Sequence, residues 1–459
     1  MLRGCVVTLL AGVLVMALGA PASAGPGEPP NPYAGPDGTA GMHGDSAASD
    51  TTAWAGPGAE ARPGWPVTLP AVCPTILAGR DGMVQALCTE YADRAPSLYL
   101  IDPHTWLPVA RRHLKAGDLL GGVYAYIDHR DRLVTVDGSG SIRWLDHERT
   151  ALGWRITVDQ EQPVDLPEGD AVTTLGPGYD GHIWFATSQG RAGYAVAGGE
   201  TRFVTLGDGS EKVANSIATS TRGTAVTSDH ATYLLRSTAT GVDVVWRRAY
   251  DRGPARKPGQ LSWGSGSTPT FFGPRSGSDY VAITDNARPR ERLLVYRADD
   301  GREVCRLPIL GPESSGTENS PVAWGRSVYL ASTYGYPYPA QATEHADPAD
   351  PEKADFVGGM TRIDVSPDGC RTRWTNDTAS AAVPRLSREE NVLYTVKRSA
   401  GGWRWQLARI DPETGRELSL THLGLGPLAD TLQMVGTILP DGTLLQGNIA
   451  GLRVVRPRG

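Results

Sequence analysis

From Gly259 to Tyr338 the chain reads GQLSWGSGSTPTFFG, then DYVAITDN from Asp279, RLLVYRADDGREVCRL from Arg292, GTENSPVAWG from Gly316 and SVYLASTYGYPY from Ser327. Short apolar runs rich in β-branched and aromatic residues alternate with Gly, Pro, Asp and Asn clusters, which is the pattern of strands and tight turns. Four such runs complete one antiparallel sheet, and the next two begin another. Polar residues gather where strands begin or end. Asp285 and Asn286 close one strand, and Glu318, Asn319 and Ser320 open another.

Outward from this stretch the same unit recurs at roughly 40 to 55 residues, the spacing of propeller blades. Earlier units include VYAYIDH from Val123, HIWFATS from His182 and GTAVTSD from Gly223, and a later one includes NVLYTVKRS from Asn391. No long run keeps a helical period. The expected fold is all-β: one propeller over residues 64–459, with eight four-stranded blades, or seven if one unit has been split. The last unit, MVGTILPDG to LRVVRP, stops one strand short, and WPVTLP (65–70) can supply that strand and close the ring.

Residues 1–24 carry Arg3, an apolar run from Val6 to Leu18 and an Ala22-Ser23-Ala24 site. That is the pattern of a secretory signal peptide, with an apolar run too short to span a membrane. The mature chain is expected outside the cell, as a monomer with no membrane span. Residues 25–63 are Gly, Pro, Ala, Ser and Asp with few aliphatics, and are expected to form a disordered linker. Cleavage leaves Cys73, Cys88, Cys305 and Cys370, an even set in an exported chain. Four cysteines allow three connectivities. The preferred one ties Cys73 to Cys88 within the first sheet and Cys305 to Cys370 between two sheets. The formal charge of −6 argues against a nucleic-acid partner.

In a blade, the innermost strand begins and the second strand ends on the same face of the ring. That face collects Asn215, Asp285, Asn286, Glu318 and Asn319, an oxygen-rich set of the kind that holds calcium. It also collects Trp263, Arg288, Arg290, Tyr334 and Tyr336 as candidate ligand contacts, and an acidic insertion at 337–357 that reads as a solvated loop or a lid. Trp246 and Trp374 fall on outer strands, where packing between blades accounts for them. No nucleophile elbow, phosphate loop or zinc-protease helix is present.

The turns LYLIDPHTW at Leu98, LLRSTATGVDVVW at Leu234, LLVYRADDGREVC at Leu293 and LARIDPETGRE at Leu407 resemble the pyrroloquinoline-quinone-type repeat of quinoprotein-like propellers. The dehydrogenases of that group carry an adjacent Cys pair in the cofactor pocket. This sequence has none, so the resemblance implies the fold and not the quinone. Asp285-Asn286 and Glu318 resemble, in type and presumed position, the channel residues of calcium-dependent propeller hydrolases, the paraoxonases and gluconolactonases. That second resemblance implies calcium and the hydrolysis of lactones or esters, although those enzymes have six blades. Two functions follow: a secreted propeller that binds a small molecule or extracellular protein at its channel mouth without catalysis, or a calcium-dependent hydrolase.

Overall fold

The computed structural model describes residues 27–117 and 124–458. Eight sheets follow one another in sequence, each built on a four-stranded antiparallel blade ordered from the channel outward, and N-terminal strands join the last two. Blade 1 runs from Ala71–Ala78 to Pro108–His113, and blade 5 from Thr270–Phe272 to Glu303–Pro308. Blade 6 runs from Val322–Trp324 to Gly369–Asn376, and blade 7 from Arg385–Ser387 to Glu417–Leu425. The only described helices are three single 3-10 turns. None of the described helices is long and apolar enough to cross a membrane. The signal-peptide reading lies outside the described residues.

Blade 8 contributes Thr437–Ile438, Leu444–Asn448 and Gly451–Arg456 from the C-terminal end. Its fourth strand comes from the other end of the chain, in two pieces: Arg62–Pro63 and Val67–Thr68 both pair antiparallel with Gly451–Arg456. The expected closing strand is therefore present, and it begins earlier than WPVTLP. Both expected disulfides are formed, Cys73–Cys88 inside blade 1 and Cys305–Cys370 between the outer strand of blade 5 and that of blade 6.

Side chains of successive blades interleave into apolar clusters, and two tryptophans lock the seams. Trp246 donates its indole N–H to the Ala298 carbonyl at 3.0 Å, and Trp374 donates to the Pro412 carbonyl at 2.9 Å. Each ring lies beneath a turn glycine of the next blade. A Cβ on Gly301 or Gly415 would approach the ring to 2.6 Å, and φ is 67° and 72° there. Only glycine tolerates both the left-handed backbone and the close approach.

The main departure from expectation lies in residues 27–63. They are not a free linker. Residues 27–54 thread the central channel, and their carbonyls accept hydrogen bonds from the innermost strands of six blades in turn. Ala78, Ile127, Thr219, Phe271, Ala323 and Leu386 donate to Thr39, Ala40, Ser46, Ala47, Ser49 and Asp50 at 2.7–3.1 Å. Thr51–Thr52 then pairs parallel with Arg385–Ser387. Composition misjudged this segment because it weighs only side-chain burial. The innermost strands of a ring expose backbone donors toward the channel, and a chain of small residues can satisfy them. Those paired backbone groups, with buried polar side chains, offset the ordering entropy of about 1–2 kcal/mol per residue.

Candidate functional site

The threaded segment closes one face of the ring, here called the back face, where innermost strands end. Gly27 approaches Trp324, Glu28 accepts the Thr221 N–H, and Ala34 pairs with Asp128, all at the turns that leave innermost strands. Deeper in the channel Asp50 is fully buried between His43 (Nδ1 at 3.0 Å) and Arg385 (3.5 Å). Arg385 is also buried. It donates to the Gly436 carbonyl (3.0 Å) and the Met42 carbonyl (2.8 Å), which fastens the segment to blades 7 and 8. Burial pushes the Asp45 carboxyl up and lifts that of Asp37 to about 6, so the threaded segment holds carboxyls that resist ionisation.

The opposite, front face has long loops. The blade 6 insertion leaves Ser327–Ala331 and returns at Met360–Ser366, and it lies across the mouth of the channel. Glu344 pairs with Arg94 of blade 1, Asp350 with Arg288 of blade 5 (2.9 Å), and the Asp347 carbonyl accepts from Arg256 (2.5 Å). Tyr336 at its root donates to Asp430, between blades 7 and 8. These contacts tie the insertion over the mouth as a partial cover, while most of its side chains stay exposed to solvent.

Beside this cover is a cavity of about 490 Å³, bounded by Arg94, Thr173, Lys212, Asn215, Asp229, Ser262, Trp263, Ser265 and the insertion residues Gln341 to Asp347. Trp263 is held rigidly. Its indole N–H donates to the Arg252 carbonyl (3.0 Å), and the Arg252 guanidinium stacks 3.9 Å from the ring centroid. Arg252 in turn pairs with Asp229 at 3.0 Å. Behind Ser262, whose hydroxyl donates to Glu318 at 3.4 Å, burial raises the Glu318 carboxyl to about 8, and the nearby Glu291 carboxyl adds to the shift. Glu318 Oε2 is shielded from solvent with no hydrogen-bond partner. A protonated carboxyl suits that position, because it carries no charge to desolvate.

Of the residues singled out in the sequence, Asn215 and Trp263 line the cavity, and Glu318 lies just behind its wall. The others are brought elsewhere. Asp285 is spent on Arg292 (2.7 Å) and on two backbone N–H groups, as a turn residue. Asn286 donates to the Arg252 and Ala255 carbonyls (2.8 and 2.9 Å), and Asn319 donates to Gln433 (3.1 Å). Arg288 is tied to Asp350, and Arg290 donates to the Leu310 carbonyl. Tyr336 is buried against Phe356, and Tyr334 packs over Gly316. Of the five residues expected to hold calcium, Asp285, Asn286 and Asn319 each have side-chain partners of their own within the protein. Among the described residues no three His, Cys, Asp or Glu side chains form a metal-holding group. Sequence reasoning missed Arg94 and Lys212, which come from loops of blade 1 and of the blade 3 to 4 junction. Nothing in their local sequence signals the cavity.

No family model matches the chain, and no curated protein matches it in sequence. Solved structures that resemble it are β-propellers. The WD40 domain of Toxoplasma gondii coronin shares 11% identity over 89% of this chain and 90% of that one, with a TM-score of 0.45. BamB from Moraxella catarrhalis shares 14% identity over 71% and 93%, with a TM-score of 0.43. Virginiamycin B lyase from Staphylococcus aureus, solved as a catalytically inactive form with quinupristin, shares 14% over 87% and 100%, with a TM-score of 0.41. At these identities the likeness is one of fold.

Proposed function

We propose that this chain is an exported propeller that binds a ligand in the front-face cavity and catalyses no reaction on it. The observation that carries the reading is the asymmetry of the ring. The back of the channel is filled by the chain's own N-terminal segment, whereas the front has a cavity of about 490 Å³ beside a fixed aromatic ring. That volume lies in the range of small-molecule sites. Export is supported by the sequence pattern at 1–24 and by two disulfides, which persist in oxidising compartments. The resemblance of the turns to the quinoprotein-type repeat is supported by Gly301 and Gly415. They belong to two of the quoted turns and receive the tryptophans of the preceding blades.

The reading is tested by a ligand-observed NMR screen of a broad fragment library against the mature protein and against Asn215→Trp, which fills the cavity. Binding that disappears in Asn215→Trp, with the melting temperature retained, supports it. A library in which no binder is sensitive to Asn215→Trp overturns it.

A further inference from the structure

Resting on that cavity as the binding site, we infer that its ligand is a neutral, polyhydroxylated molecule, a short glycan, seated against Trp263. Three properties of the wall lead there. The first is charge balance. Among the described residues, Arg94 and Lys212 of the wall and Arg252 behind Trp263 stand against Asp229, Glu344 and Asp347, three cations and three anions. Arg94 and Arg252 are already paired, with Glu344 and Asp229. A phosphate or polycarboxylate ligand would need an uncompensated excess of cations, and a polycation would need the reverse.

The second is the indole. Its N–H is consumed by the Arg252 and Gly253 carbonyls at 3.0 and 3.2 Å, so the ring offers the cavity carbon only. Arg252 and those two bonds fix its plane. An aromatic face is electron-rich, and it attracts the weakly positive C–H face of a pyranose while leaving the hydroxyls free at the ring's edge.

The third is the supply of hydrogen-bonding groups of both kinds around that ring. The Lys212 ammonium and the Asp347 carboxylate line the cavity exposed to solvent and make no hydrogen bond to the described residues, with Arg256 near enough to Asp347 to act on it electrostatically. Asn215 adds an amide whose only described side-chain bond is a long one, 3.4 Å to the Ser265 carbonyl. A ligand whose every hydroxyl both donates and accepts satisfies such a mixture. An apolar ligand seated there would displace water from these groups without replacing its hydrogen bonds, at a cost.

The test is isothermal titration of the mature protein with neutral oligosaccharides of glucose, xylose and N-acetylglucosamine. Heparin serves as an anionic control, and Trp263→Ala and Asn215→Trp as variants. The expected result is saturable binding of at least one neutral oligosaccharide. That binding changes little between 50 and 500 mM NaCl, weakens at least about tenfold in Trp263→Ala and is lost in Asn215→Trp. If the neutral sugars do not bind, or bind equally well to Trp263→Ala, the glycan assignment is overturned. Cavity-dependent binding of non-sugar fragments would then leave the binding reading standing, and its absence would remove both. Binding of heparin alone, lost at high salt, also overturns the assignment.

Discussion

Replacing Arg385 by leucine should cost this protein a large share of its stability, although the residue lies far from the proposed ligand. Its guanidinium is 1% exposed and stands beside Asp50, which has no exposure at all. It also supplies donors to the Gly436 and Met42 carbonyls. Leucine fills a similar volume but leaves the Asp50 carboxylate with His43 alone and strands both carbonyls. Breaking a buried ion pair costs about 3–5 kcal/mol when the other charge is left uncompensated, and with His43 still in place the lower end of that range is expected. Against a total of about 5–15 kcal/mol this is decisive. The assay is urea unfolding followed by tryptophan fluorescence, with Asp50→Asn and the double variant completing a cycle. The double variant should be less destabilised than the two singles added together. The N-terminal segment of Arg385→Leu should also become cleavable by protease near residues 42–50. A loss below about 1 kcal/mol, or strict additivity, would refute the claim that this pair fastens the segment in the channel.

Three further outcomes follow from the same structure. Burial raises Glu318 to about 8 from an ordinary value near 4.5, so the folded state holds a proton that the unfolded chain releases. Its contribution is complete below about pH 4.5 and is lost as pH rises toward 8. Glu318→Gln should therefore flatten the decline in melting temperature between pH 5 and 8, and an unchanged slope would count against the buried neutral acid. Gly301→Ala places a Cβ 2.6 Å from the Trp246 ring at a φ of 67°. It should destabilise by about 1–3 kcal/mol, whereas alanine at the Gly140 turn, where nothing lies within 4 Å, should cost less; equal effects would contradict the seam packing. The double change Cys305→Ala with Cys370→Ala removes a link across 65 residues between blades 5 and 6, and should lower stability by about 2–5 kcal/mol in a denaturant titration.

The ring was legible in the sequence because its signal repeats. Each blade restates short apolar runs and Gly- or Asp-bearing turns, so an ambiguous unit is corrected by its neighbours. The missing fourth strand of the last unit announced the closure that Arg62–Pro63 and Val67–Thr68 provide. The threaded segment was not legible, because it is ordered by backbone pairing with six different blades, and such pairing leaves no periodic pattern. His43, Asp45 and Asp50 were its one visible sign, ionisable residues within a stretch of small ones. The site was half legible. Position on the front face was enough to select Asn215 and Trp263. It could not show that Asp285 turns back onto Arg292, or that Lys212 and Asp347, 135 positions apart in the chain, border one cavity. Those facts depend on which loops lean across the mouth.

The most direct test of the account is the thiol reactivity of single cysteines placed on either side of the channel. Asn215→Cys reports the front cavity, and Ala47→Cys, at a site 2% exposed in the threaded segment, reports the back. With both disulfides intact, Asn215→Cys should react with a small maleimide nearly as fast as a free thiol. Ala47→Cys should react only as fast as the segment leaves the channel. Rapid labelling of Ala47→Cys, or protection of Asn215→Cys, would contradict a ring that is closed behind and open in front.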